Sequence, residues 1–168
     1  MALALGAGVF TARRFRTDAN GLAVISASVG RGRLYVGIGD VVNNAGTGGG
    51  TLQGAAREGI DQALTERAEV STGAPAAGAQ RGARGVSARG HFLDASIQSV
   101  QSSGGSTRVQ VSVVVSSFPG RVYEFESTST VTLTGDTAGA PENVAAGVRR
   151  AMHTATTRAV DQMLVAAR

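Results

Sequence analysis

Three successive runs between His91 and Leu133 alternate apolar and polar residues, the period of a strand with one buried face. Leu93, Ala95 and Ile97 share a face in the first run, and Val109, Val111, Val113 and Val115 share one in the second. In the third run Tyr123, Phe125, Val131 and Leu133 are assigned to the buried face, and Glu124, Glu126, Thr128, Thr130 and Thr132 to the opposite one. The segment QSSGGST joins the first two runs as a hairpin, and Phe118-Pro119-Gly120-Arg121 joins the second and third, with Pro119 and Gly120 at the centre of a turn. A one-sided antiparallel meander must cover its apolar face. The segment after Pro141 supplies the cover: Pro suits a first helical turn, and Val144, Val148, Ala151, Met152, Ala155, Ala159 and Met163 recur at helical spacing.

The first half repeats this logic once. Leu34, Val36 and Ile38 alternate along a strand, residues 43–50 form a Gly-rich loop, and Thr51 is placed to cap a helix with the stripe Leu52, Ala55, Ala56, Ile60, Ala63 and Leu64. Gly54 and Gly59 weaken that helix in isolation and are expected to allow close approach to the strands beneath it. The expected fold class is therefore α+β: a two-layer sandwich with an antiparallel-rich sheet of four or five strands and two helices on one face. Residues 33–168 form one α/β domain, with a Gly/Ala/Arg-rich loop at 71–90. Residues 1–32 are an N-terminal arm or linker, within which residues 22–29 are a candidate hairpin strand against residues 33–42 across Gly30-Arg31-Gly32.

Composition narrows the chemistry more than it names it. The 168 residues are 42% apolar but only 4% aromatic, with no Trp, so the core is built from Val, Leu, Ile and Ala. The absence of Cys excludes disulfides, thiolate metal sites and Cys nucleophiles. Every one of the 16 basic residues is Arg, which fits a high-GC genome, and the net charge of +4 is modest. Two groups of arginines stand out as candidate contacts for a partner: Arg13, Arg14 and Arg16 in the arm, and Arg81, Arg84 and Arg89 in the loop. No apolar run approaches the ~18–20 residues of a membrane-spanning helix. The opening MALALGAGVF has no basic residue before it and no clear cleavage site, which makes a poor secretory signal. The expected location is the cytoplasm, or the bacterial envelope where an upstream signal has been removed.

Candidate catalytic groups are sparse. The loop NNAGTGGGTLQG lacks a Walker lysine and the GxGxxG spacing, so it reads as a loop in which Asn43 and Asn44 make a turn. Glu124 and Glu126 have no His near them in sequence, His91 and His153 are far apart, Asp94 alternates with Phe92 toward the outside, and no Ser lies in a GxSxG elbow. Arg149, Arg150 and Arg158 face outward on the last helix. No catalytic residue, cofactor site or metal site is assigned. An enzyme would need Glu124, Glu126, Asp94 or His91 to converge in one pocket.

The residues YVGIGDVVNNAG followed by TLQGAAREGIDQALTER resemble the opening of envelope lipoprotein domains of the curli-secretion, penicillin-binding-protein-activator and Tol-translocation amino-terminal type. The later HFLDASIQSV, VSVVVSSFPGRVYEFESTSTVTLTG and the last helix are similar to the small α/β domain that follows HEAT repeats in some high-GC, myxobacteria-like proteins. The resemblance covers roughly Arg33 to Arg168 and departs from those precedents in lacking a lipobox cysteine and preceding helical repeats. It implies a non-catalytic module for protein binding or assembly, working through an exposed sheet edge or the Gly/Arg loops. The partner is then another protein or a second copy of the chain. Two alternatives stand beside it: a self-assembling subunit that docks through residues 1–10, and a nucleic-acid-binding domain using the arm and loop arginines, the less favoured of the partner types.

Overall fold

The computed structural model describes residues 16–17, 23–24, 34–73 and 90–167. The chain divides into two compact units, Met1–Gly32 and Arg33–Arg168. In the first, β1 (Arg16–Thr17) pairs antiparallel with β2 (Ala23–Val24). Ala23 and Val24 thus meet Thr17 and Arg16, and not residues 33–42 as the hairpin reading expects. The strand that follows takes its partners from further along the chain.

The second unit is α+β. Its elements are β3 (Leu34–Asn43), α1 (Gly49–Thr65), β4 (Val70–Ser71), β5 (Gly90–Ser103), β6 (Ser106–Phe118), β7 (Tyr123–Thr134) and α2 (Pro141–Ala166). The five strands form one sheet in the order β4-β3-β5-β6-β7. β5, β6 and β7 are the expected antiparallel meander, while β3 runs parallel to both β4 and β5. A parallel neighbour requires a crossover, and α1 lies on that path. The two-residue β4 was not expected, because a single Val in EVST carries no alternation to read.

Both helical stripes are buried as their spacing requires. Leu52, Ala55, Ala56, Ile60, Ala63 and Leu64 of α1, and Val144, Val148, Ala151, Met152, Ala155, Ala159 and Met163 of α2, pack with Val36, Leu93, Ala95, Ile97 and the four valines of β6. β7 contributes more than its apolar residues. Ser127 and Ser129 are also buried against the helix layer, and the Ser127 hydroxyl donates to the Ala155 carbonyl at 2.9 Å. Small side chains there let α2 approach the strand, a role that β-propensity alone does not reveal.

Helix boundaries and turns follow local chemistry with one difference from expectation. α1 starts at Gly49 behind Gly48, whose φ of 70° is the left-handed conformation glycine tolerates, so Thr51 sits inside the helix rather than capping it. Pro119 and Gly120 make the β6–β7 turn as expected, and the positive φ falls on the next residue, Arg121 (51°). The β5–β6 hairpin closes through Gly104 and Gly105, both at positive φ, as a two-residue turn with right-twisting strands demands.

Gly59 faces the other helix and not the sheet. A Cβ there would stand 2.4 Å from the Arg149 backbone oxygen, whereas one at Gly54 would meet nothing within 4 Å. The α1–α2 contact is flanked by two ion pairs, Arg149–Glu58 at 2.8 Å and Arg67–Asp161 at 2.8 Å, and by a hydrogen bond between His153 and Glu66 at 2.9 Å. All are substantially exposed, so each adds little beyond alignment of the helices. Hydrogen bonds from His153 and Gln62 hold the Glu66 carboxyl below the usual carboxylate range.

Candidate functional site: the open edge of the sheet

The sheet ends on β7, whose one described strand neighbour is β6. The Arg158 guanidinium reaches the Thr128 carbonyl at 3.4 Å, so the backbone groups of Thr128 point away from β6. Antiparallel alternation then turns the N–H and C=O groups of Glu126, Thr130 and Thr132 the same way. These residues are exposed. Past the bulge at its start, the strand runs FESTSTVTLT, without proline, lysine or arginine. Edge strands that stay unpaired carry such residues, or a bulge or cover, as protection.

The opposite side of the sheet shows those protections. β4 pairs only with Leu34 and Tyr35, so Val36 to Asn43 has no described strand on that side. Here β3 shifts register between Ile38 and Val41, carries the exposed Asp40, and has its Val41 carbonyl capped by Gln53 Nε2 at 3.2 Å. The Asp94 carboxylate accepts the Asp40 N–H at 3.0 Å. Gly39 makes that reach feasible, since a Cβ there would lie 2.0 Å from the Asp94 oxygen. Asp94 is therefore a clamp on the irregular strand, part-exposed on the sheet's outer face as its alternation with Phe92 indicates.

Around that clamp lies an aromatic cluster that sequence reading missed, because its members come from three strands. Tyr35 and Phe118 stand edge to face at 4.9 Å, Phe92 and Phe118 are 5.2 Å apart, and Arg121 lies 4.6 Å over the Phe92 ring and 3.8 Å from Asp94. The rings lie over glycines: a Cβ at Gly37 would meet Phe92 at 2.9 Å, and one at Gly90 would meet Tyr35 at 2.8 Å. The cluster fastens β3, β5 and β6 at one end, with the Arg121 guanidinium over the Phe92 ring.

Of Glu124, Glu126, Asp94 and His91, Glu124 and His91 meet, and Glu126 and Asp94 stand apart from them and from each other. A bulge at Glu124 sets Tyr123 opposite Ser116 and Phe125 opposite Val115, so Tyr123 is exposed on the outer side rather than buried with Phe125. The same bulge splits the two glutamates. Glu124 meets His91 Nδ1 at 2.7 Å on the helix side, while Glu126 accepts from Ser112 on the outer face. Asp94 and Glu126 lie on either side of Val114 in the sheet, two strand spacings or ~9.6 Å apart. Among the described residues no three His, Cys, Asp or Glu side chains group to hold a metal ion.

The loop ahead of α1 folds on itself. Asn43 accepts the Ala45 N–H at 3.0 Å and donates to the Thr47 carbonyl at 2.7 Å, the side-chain turn expected of an Asn. Of the arginines assigned to partner binding, Arg13, Arg14, Arg81, Arg84 and Arg89 lie outside the described residues, and for Arg16 only its place in β1 is described. On α2, Arg149 is engaged by Glu58 and Arg158 by Thr128, so these two are tied to their own fold. Arg150 is the charged residue lining a cleft of about 370 Å³ between Leu133 at the end of β7 and Ala146 and Gly147 of α2. Among the described residues no helix is long and apolar enough to cross a membrane.

No family model matches the chain, and neither does any curated protein. The chain does resemble solved structures. It is similar to the hypothetical protein CT253 from Chlamydia trachomatis, with a TM-score of 0.54 and 13% identity over 80% of this chain and 99% of that one. A PelC dodecamer from Paraburkholderia phytofirmans gives 0.43 and 15%, over 76% and 88%. Lipoprotein GNA1162 from Neisseria meningitidis gives 0.43 and 8%, over 77% and 97%. These comparisons do not establish the individual families that the sequence resembles. At these identities, the likeness to CT253 is one of fold.

Proposed function

We propose that this protein is a non-catalytic binding and assembly module that captures an extended strand along the open edge of β7. The observation that carries this reading is the contrast between the two sides of the sheet. On β3 the register shift, Asp40 and the Gln53 cap fall together in the middle of the strand, whereas on β7 the bulge is confined to Glu124, and past it the outward groups from Glu126 to Thr132 follow one another along a regular strand that only the 3.4 Å Arg158 contact at Thr128 touches. A strand added there gains a continuous ladder of main-chain bonds, with side chains alternating between the two faces for selectivity. The fold supplies rigidity behind it, since Ser127 and Ser129 seat β7 on α2. An envelope setting belongs to this proposal and comes from the sequence resemblance.

The test uses a labelled peptide with the sequence Tyr123–Thr134 as the incoming strand, titrated against the full chain and against Thr130→Pro. The Thr130 N–H points outward, so proline there removes no bond to β6 but blocks the added ladder. The expected result is saturable binding that weakens at least ~tenfold, equivalent to ~1.4 kcal/mol, in the variant, with unchanged circular dichroism. Absence of binding to the unsubstituted chain, or equal binding to a folded Thr130→Pro, overturns the reading.

A further inference from the structure

The edge reading leaves the identity of the captured strand open, and the charge pattern along β7 selects one. Acidic residues sit at its beginning, Glu124 and Glu126, and hydroxyl residues fill its second half, Thr128, Thr130, Thr132 and Thr134. On the neighbouring β6, the exposed Arg108 lies opposite Thr132, at the far end from the glutamates. A parallel copy of β7 would set Glu126 beside Glu126. An antiparallel copy carries the acidic end of each strand to the Arg108 end of the other.

Resting on that reading, we infer that the strand captured by β7 is β7 of a second copy, paired antiparallel about a two-fold axis through Thr128. A two-fold through Ser129 would overlap as far; the Thr128 register is distinguished by the cross-strand pairs it makes and by setting two outward-directed residues face to face at the axis. On the outer face Glu126 comes opposite Thr130, whose other neighbour is Gln110 on β6. On the helix side the partly buried Phe125 comes opposite Val131, an aromatic and β-branched pair of the kind that stabilises sheets, and Ser127 comes opposite Ser129. The two five-stranded sheets then continue as one, and a two-fold contact of this kind closes on itself at two copies. The Arg158 contact with Thr128, at 3.4 Å, is exchanged for a main-chain bond at the axis.

The chain has no Cys, so one introduced thiol reports on the axis without ambiguity. Residues directly opposed with their hydrogen bonds directed at each other have Cα atoms ~5.5 Å apart, within the range a disulfide spans. The experiment measures the mass of the full chain by sedimentation equilibrium, together with cross-linking of Thr128→Cys and Thr134→Cys under mild oxidation. The expected results are twice the single-chain mass, reduced to one chain by Thr130→Pro, and covalent dimers from Thr128→Cys in excess over Thr134→Cys, which this register places opposite Val122. A chain that stays monomeric yet binds the β7 peptide overturns self-pairing and leaves the edge reading standing. A monomer that also fails to bind the peptide overturns both. An oligomer in which Thr134→Cys links as readily as Thr128→Cys overturns the two-fold at Thr128.

Discussion

Replacing Gly59 by leucine is expected to lower stability by ~3 kcal/mol or more, enough to shift the melting temperature by several degrees in a chain of this size. Overpacking is usually eased by rotating a flexible neighbour, and here the neighbour is main chain. A Cβ at this position would lie 2.4 Å from the Arg149 carbonyl oxygen and 3.2 Å from the His153 nitrogen, so α1 and α2 must part to admit it. Parting them also pulls on the Arg149–Glu58 and His153–Glu66 pairs that lie beside the contact. Gly54, five residues earlier on the same helix, provides the contrast. Its surroundings are open, so Gly54→Ala is expected to raise stability by ~0.5–1 kcal/mol through helix propensity. Urea unfolding of the two variants checks both signs, and a Gly59→Leu protein as stable as the parent contradicts the close helix contact.

Truncating Leu93 to alanine is expected to cost ~2–5 kcal/mol, a large part of the ~5–15 kcal/mol that holds a typical domain together. Leu93 is wholly buried on β5, the strand that pairs with both β3 and β6, and it sits among side chains that are mostly valine and alanine. With only five Phe and two Tyr in the chain, and Tyr35, Phe92 and Phe118 gathered on the other face of the sheet, few large side chains are near enough to fill the space. Val122, 65% exposed, makes the matching control: Val122→Ala is expected to stay within ~0.5 kcal/mol of the parent. Chemical denaturation of both gives the comparison. A Leu93→Ala loss below that of the control contradicts the assignment of the core.

Much of this architecture is legible in the order of residues because period-2 and period-3.6 patterns report burial directly. The valines of β6, the stripes of α1 and α2 and the glycine hairpin at 104–105 all lie where those patterns put them. What escaped depends on register, which no local pattern encodes. The single extra residue at Glu124 turns Tyr123 outward and separates Glu124 from Glu126, and the irregularity between Ile38 and Val41 lets Asp94 grip β3. Gly59 reads as a helix-weakening residue until the second helix is in place beside it. Ser127 and Ser129 share the face of Phe125 and Val131 by alternation but carry no apolar signal, and the packing uses both their small size and the Ser127 hydroxyl. The edge itself was expected in kind but not located, since strand order follows from the parallel placement of β3 beside β5.

Amide hydrogen exchange along β7, followed by NMR across a dilution series of the full chain, tests the central claim most directly. The N–H groups of Ser127, Ser129 and Val131 point to β6 and are expected to stay protected at every concentration. Those of Glu126, Thr128 and Thr130 are expected to be protected in concentrated protein and to exchange rapidly on dilution. Protection of these three that persists in a monomeric sample means that the chain covers its own edge, and their rapid exchange in a sample already assembled means that assembly uses another surface; either result contradicts the account.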